Sequence, residues 1–215
     1  MSFTYSTLKT AIGDYLESAE TTFTTHLPTF VTESEDRIFR LVELPEQRKN
    51  VQGTTATNNR FLACPTDFLA PMSLAIISSS TYSYLDLKHA SFLKEYSPTT
   101  SVTGQPKYYS IYSQDSFALA PIPDAAYTVE LHYLYKPSSL TSGSDSGTTV
   151  LSTDYPDALL YGSLVEGAIF LKEPPDVIAQ FEARFKEAVM RMKNASEGRE
   201  TRDEYRYDSL RTRVS

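Results

Sequence analysis

Residues 154–195 read DYPDALLYGSLVEGAIFLKEPPDVIAQFEARFKEAVMRMKNA, and this stretch decides the fold. It spells a pair of helices joined by a proline break. Asp154, Pro156 and Asp157 crowd the start: a capping oxygen, a φ pre-set for a helix, and negative charge near the N-terminal dipole. Leu160, Leu164, Ala168 and Leu171 then fall on one side, with Leu159, Val165 and Ile169 widening the stripe. Pro174 and Pro175 cannot continue that helix but can open the next, with Asp176 behind them. Phe181, Phe185, Ala188, Val189 and Met192 recur at the spacing of one buried helix face. Glu182 with Lys186, and Glu187 with Arg191, pair on the outer face in the favourable acid-first order. So short a link folds the two helices back antiparallel. Each fully buried Phe or Leu contributes about 1.5–3 kcal/mol, enough to make this hairpin a core. It is scaffold and carries no chemistry.

The other end of the chain supplies its partner. Leu8, Ala11, Ile12, Tyr15 and Leu16 predict a helix over 5–17, capped by Thr4 or Ser6. Residues 21–25 read as a polar, threonine-rich connection around Phe23. A second helix is expected from Leu27-Pro28 to Leu44, stopped by Pro45. Its buried face would be Phe30, Ser34, Ile38, Leu41 and Val42, with Glu33–Arg37 and Asp36–Arg40 outside. Each helix pair has one apolar face and nothing of its own to cover it, so packing the pairs together buries both.

Between them the texture changes. Prolines, glycines, serines and threonines punctuate short runs rich in Tyr, Ile, Val and Phe, the pattern of strands. Strands are expected at 61–64, 68–78 and 82–88, a helical turn at 91–96, and a hairpin from 107–112 and 116–120. The clearest strand is 128–136. Val129, Leu131, Tyr133 and Tyr135 share one face, and Thr128, Glu130, His132 and Lys136 the other. Residues 142–147, SGSDSG, read as a flexible loop leading back to the helices. The expected class is therefore α+β. Residues 1–50 and 152–195 form a helical bundle, 51–151 a β-rich insertion, and 196–215 an extended C-terminal arm.

Composition sets outer limits. A chain of 215 residues with 40% hydrophobic and 22% charged residues can bury a sizeable core. No apolar run is long enough to span a bilayer, and the first residues lack the pattern of a secretion signal, so no membrane partner is expected. The single cysteine, Cys64, excludes an internal disulfide and suits a reducing compartment. A net charge of −7 argues against a DNA-grasping surface, which would cluster Lys and Arg. Acidic proteins are common, but an acidic surface also lets nucleic acid pass without sticking. Fifteen tyrosines and no tryptophan lean towards wet interfaces and sheets.

The last twenty residues differ again. Glu197, Glu200, Asp203, Glu204 and Asp208 alternate with Arg199, Arg202, Arg206, Arg211 and Arg213, and only Tyr205, Tyr207, Leu210 and Val214 offer anchors. Such a segment cannot offset its ordering entropy alone. It is either a frayed terminus or an arm that orders on a partner, with tyrosine anchors and arginines for carboxylates.

Chemistry leaves no signature. His26, His89 and His132 lie far apart in different elements, without the spacing of a metal site. Cys64, just before Pro65, reads as a small buried hydrophobe rather than a nucleophile. Gly104 stands alone in its turn, and no nucleophile elbow surrounds any serine. Asp67 and Asp124 each follow a proline-bearing turn, which accounts for them. Neither an enzyme nor a cofactor is expected.

The order of features resembles the head-to-tail adaptor (connector) proteins of short-tailed and related bacteriophages. The residues carrying the likeness are Leu27-Pro28-Thr29-Phe30-Val31 and Glu35-Asp36-Arg37-Ile38, then Cys64-Pro65-Thr66-Asp67-Phe68-Leu69. Gly104-Gln105-Pro106-Lys107-Tyr108-Tyr109 and Leu119-Ala120-Pro121-Ile122-Pro123 follow. Tyr133-Leu134-Tyr135-Lys136-Pro137 and Asp157-Ala158-Leu159-Leu160-Tyr161-Gly162 complete the set, which spans nearly the whole chain.

The resemblance implies a virion structural protein of the neck or tail, assembled in the host cytoplasm. It implies a homo-oligomeric ring of about twelve copies, docked on the portal protein and binding a tail or nozzle protein. DNA would pass through the lumen without sequence-specific binding. The family's C-terminal segment docks on the portal, so the resemblance assigns portal contacts to Arg199, Arg202, Tyr205, Arg206, Tyr207, Leu210, Arg211 and Arg213. Two other readings accommodate the same residues. One is a tail-completion or neck protein contacting the tail tube. The other is a virion carbohydrate-binding or hydrolytic module, which would use Asp67 or Asp124.

Overall fold

The structure, a computed structural model, describes residues 2–200, with side chains up to Gly198. The chain divides by its contacts into two compact units, a helical one from both ends of the chain and a β-rich one of residues Gln47–Pro137. Helices from both ends thus flank a β-rich middle, the α+β architecture expected. The β-rich unit is narrower than the 51–151 span read from texture, because residues 138–151 make their contacts within the helical unit.

Helix α5 (Pro156–Leu171) is the axis of the helical unit. It is buried on nearly all sides rather than along one stripe: Leu159, Leu160, Ser163, Leu164, Val165 and Ala168 are all covered, while Ile169 stays 53% exposed. Two glycines allow the close approaches. A Cβ at Gly162 would collide with Ser34 Oγ and lie 3.0 Å from the Phe185 ring; one at Gly167 would lie 2.7 Å from Leu16 Cδ1. The N-cap differs from the expected one. Asp154 closes a short preceding helix, α4 (Val150–Asp154), whose cap is Thr149; Tyr155 occupies the N-cap of α5 without a side-chain capping hydrogen bond. Pro156 needs no N–H partner at this position, so the start survives without a capping oxygen. At the other end Lys172 adopts the left-handed conformation (φ 58°) and Glu173 N–H donates to Ala168 O at 3.0 Å, turning the chain into α6 (Pro175–Glu200).

Helix α1 (Tyr5–Tyr15) is capped by Thr4, which exchanges hydrogen bonds with Thr7 in a capping box. Helix α2 (Thr21–Leu41) corrects the sequence reading. It begins six residues before Leu27, absorbs the threonine run, and carries Pro28 inside. An interior proline costs about 3 kcal/mol. Phe23 (0% exposed) and Leu27 go into the core only if the helix starts early, and that burial offsets the cost. Leu41 is a second correction: placed on the buried face by spacing, it is 54% exposed, whereas Val42 is buried as expected and Leu44 is buried with it. The helix ends at Leu41, so the face drawn from periodicity stops there.

The SGSDSG loop is tied down. Ser6 N–H donates to Asp145 O and Tyr5 N–H to Gly147 O, while Lys9 Nζ meets Asp145 Oδ1 at 2.7 Å. Just before it, Leu140 is buried and its N–H donates to Glu35 Oε1 at 3.0 Å. Glu35, only 3% exposed, is therefore a structural carboxylate holding the returning chain against α2.

The β-rich unit is a two-sheet sandwich. Strands β1 (Arg48–Thr54), β8 (Thr128–Tyr135), β3 (Phe68–Ser78) and β4 (Thr81–Tyr84) form one antiparallel sheet in that order. Strands β2 (Phe61–Ala63), β7 (Ser116–Ala120), β6 (Tyr108–Ser113) and β5 (Asp86–Leu87) form the other, with β5 and β6 parallel. The expected 82–88 strand is thus two. The chain leaves the first sheet at Leu85, whose N–H still donates to Leu74 O, and joins the second at Asp86. Leu74, Ile76, Val129, Leu131 and Tyr133 meet Tyr109, Phe117 and Leu119 in the core, the β8 face expected from alternation. Helix α3 (Ala90–Tyr96) covers the outer side of the second sheet, with Leu93 on Ala118 and Ala120.

Candidate assembly surfaces

The residues that chemistry would use are occupied with structure. Asp67 accepts from Lys49 Nζ at 2.6 Å and Tyr133 OH at 2.9 Å, linking the turn before β3 to β1 and β8. The Lys49 hydrogen bond, aided by Tyr133 and opposed by burial, holds the Asp67 carboxyl below its usual range. Tyr133 responds in the opposite sense: burial and the Asp67 hydrogen bond push its hydroxyl up to about 12. Asp124 accepts from Tyr127 OH at 2.6 Å, three residues away. These aspartates carry separate tyrosine hydrogen bonds and build no shared site.

Cys64 is half-buried, and burial, then Asp115, push its thiol up to about 11. A thiol so rarely ionised is a poor nucleophile. His89 caps α3 by accepting from Ser91 N–H. His132 sits on β8 between Asn50 and Ser73, and the His26 ring lies 5.3 Å from Phe170. Among the described residues no three His, Cys, Asp or Glu side chains could hold a metal ion, and no helix is long and apolar enough to cross a membrane.

What the surface does offer is places to bind other chains. In the helical unit a groove of about 970 Å3 runs between α2 and α6. Its apolar lining is Leu41, Phe185, Val189 and Met190, the last 65% exposed. Arg37 crosses it, with Nη2 2.6 Å from Glu182 Oε1 and the guanidinium carbon 4.4 Å from the Phe185 ring centroid. At one side Glu166 and Glu33 face the same space. Burial, then the Glu33 charge, push the Glu166 carboxyl up, and Arg37 only partly opposes them. Periodicity did not reveal this groove. Met190 was its one signal, an apolar residue among charges on the outer face of α6.

The β-rich unit displays aromatic side chains. Tyr82 and Tyr84 stack with centroids 6.5 Å apart on edge strand β4, and Phe61 stands 5.0 Å from Tyr112 at the edge of the other sheet. All four are exposed. This is where part of the tyrosine excess goes.

The residues assigned to portal contact, Arg202, Tyr205, Arg206, Tyr207, Leu210, Arg211 and Arg213, lie outside the described residues, as does the side chain of Arg199. Helix α6 runs to Glu200, five residues past Ala195, after which the sequence reading began the arm. Ser196 Oγ donates to Glu43 O at 2.9 Å, so that extra turn is anchored.

A family model described as SU10 adaptor protein matches residues 3–213 of this chain. No curated protein matches it.

Proposed function

The chain belongs to the SU10 adaptor protein family, and we propose that it assembles as a ring on the portal and bridges it to the tail around the DNA channel. Family membership makes it a structural head-to-tail adaptor of a virion, not a catalyst. The observation that carries the finer reading is the extent of the match. It runs to residue 213 and takes in every residue assigned to the arm, so that stretch is part of the family's pattern rather than an appendage.

The mechanism is multivalent docking. Arms that each bind weakly act together around a ring, because every engaged arm raises the local concentration of the next. Tyr205, Tyr207 and Leu210 supply apolar anchors, and Arg199, Arg202, Arg206, Arg211 and Arg213 reach for carboxylates on the portal. The five acids and five arginines of 196–215 cancel, so the net charge of −7 resides in residues 1–195. A body with that charge lets the phosphate backbone pass rather than holding it. The stacked Tyr82 and Tyr84 suit contact with a neighbouring virion protein, since tyrosine is favoured where an interface is partly wet.

Co-sedimentation of the full chain with portal rings from the same virus tests this. Co-migration at roughly one adaptor per portal subunit is expected. Migration of the full chain apart from the rings would overturn the portal reading and favour a tail-tube partner.

A further inference from the structure

The first sheet of the β-rich unit runs β1-β8-β3-β4, so among the described residues it ends on β1 at one side and β4 at the other. Backbone pairing shows what each edge leaves open. Thr55 N–H donates to Tyr127 O, which extends the β1–β8 register by one pair. Bonded pairs alternate along an antiparallel ladder, so Asn50, Gln52 and Thr54 turn their N–H and C=O groups away from β8. By the same count, starting from Leu85 N–H on Leu74 O, Tyr82 and Tyr84 turn theirs away from β3.

Sheet edges are usually blunted by charge, proline or a bulge. These two are not. Residues 50–59 and 68–85 contain no Asp, Glu, Lys or Arg, and neither β1 nor β4 has a proline or a register shift. Charge enters only at the ends. Arg48 and Lys49 open β1, while Asp86, Lys88 and, beside Asp86, Lys107 lie past β4. Lys49 is engaged with Asp67, and Asp86 lies 3.9 Å from Lys88.

The two edges also fit each other. Every pairing in this sheet is antiparallel, so β1 and β4 at its ends run in opposite directions. A second copy set alongside in the same orientation therefore continues the ladder, β4 against β1. Centring β4 on β1 puts Tyr84 opposite Asn50, Ser83 opposite Val51 and Tyr82 opposite Gln52. Open backbone groups then meet open backbone groups. Val51, 40% exposed although its strand partner Leu131 is in the core, gains cover from Ser83. The stacked tyrosines lie against the two amides on the other face.

We propose that β4 of one copy pairs with β1 of the next, making one sheet continuous across subunits. A head-to-tail contact repeated from copy to copy generates a ring when its rotation closes. The inference rests on the ring reading above and names the strands that join its subunits.

The test uses the full chain carrying Cys64→Ala, Val51→Cys and Ser83→Cys, oxidised in concentrated solution and, separately, after sedimentation with portal rings. Within one chain the two positions stand about 14 Å apart, three strand spacings, and a disulfide cannot bridge more than about 7 Å. Any link between them therefore joins two copies. A covalent ladder of dimers and higher species is expected, forming many-fold faster than with Lys94→Cys in place of Val51→Cys. Equally fast dimers from Ser83→Cys alone would overturn the proposal by pairing two β4 edges. Sedimentation with portal but no ladder would overturn it and leave portal docking standing. A ladder without sedimentation would support the strand pairing and contradict portal docking, and failure of both would overturn both.

Discussion

Arg37 on α2 and Glu182 on α6 meet at 2.6 Å, 145 positions apart in sequence. Burial alone would push the Glu182 carboxyl up, but hydrogen bonds and charge from Arg37 and Lys186 outweigh it and hold the carboxyl below its usual range. A depressed folded value means stability that is present above the unfolded pKa, about 4.3 for Glu, and lost as pH falls through the folded value. Arg37→Ala should cost about 1–2 kcal/mol at neutral pH, combining the ion pair with the Phe185 contact. It should also flatten the acid limb of a stability–pH curve measured by urea unfolding.

Gly162→Ala should destabilise the helical unit by about 1–3 kcal/mol, because its Cβ meets Ser34 and Phe185 in a packed core. Gly198→Ala is the matched control. No atom lies within 4 Å of its Cβ, and removing a helical glycine should add about 0.5 kcal/mol. Thermal unfolding of the two variants should shift in opposite directions.

Pro28→Ala should stabilise the protein by roughly 1–3 kcal/mol, restoring a helical N–H inside α2. A loss of stability would show that Pro28 contributes packing that outweighs the missing bond.

Asp67→Asn should cost about 1–2 kcal/mol by weakening the Lys49 and Tyr133 contacts, with no associated loss of saccharide binding or turnover. The Tyr133 hydroxyl has a raised folded value, about 12. Its contribution is therefore complete below the unfolded pKa of about 10 and lost as pH rises through the folded one. Ultraviolet titration should find Tyr133 ionising late in the native protein and earlier in Asp67→Asn.

These contacts mark how far the sequence could be read. Alternation revealed the buried face of β8, and three-four spacing revealed Phe185, Ala188 and Met192, because each pattern reports a single buried face. The i,i+4 pairs Glu182–Lys186 and Glu187–Arg191 form as read, at 3.4 and 3.3 Å. The early start of α2 was hidden by local propensity: threonines and a proline argue against a helix, and only the core around Phe23 overrides them. Leu85 was read as strand interior because a strand changing sheets looks like one strand. The groove was illegible, since Arg37 was assigned by spacing to Glu33 and its partner Glu182 is distant in sequence. Its exposed apolar residues matter only once α2 and α6 lie side by side.

Portal docking through the arm is tested by truncation, and the structure moves the cut site. A chain ending at Ala195 would lose the α6 turn anchored by Ser196, so the arm is removed after Glu200 instead. Native mass spectrometry of portal rings mixed with each version gives the direct answer. A mass gain of about one adaptor per portal subunit is expected for the full chain, and none for residues 1–200. Equal gain with both would move the contact surface into the folded units, and no gain with either would contradict the portal role itself.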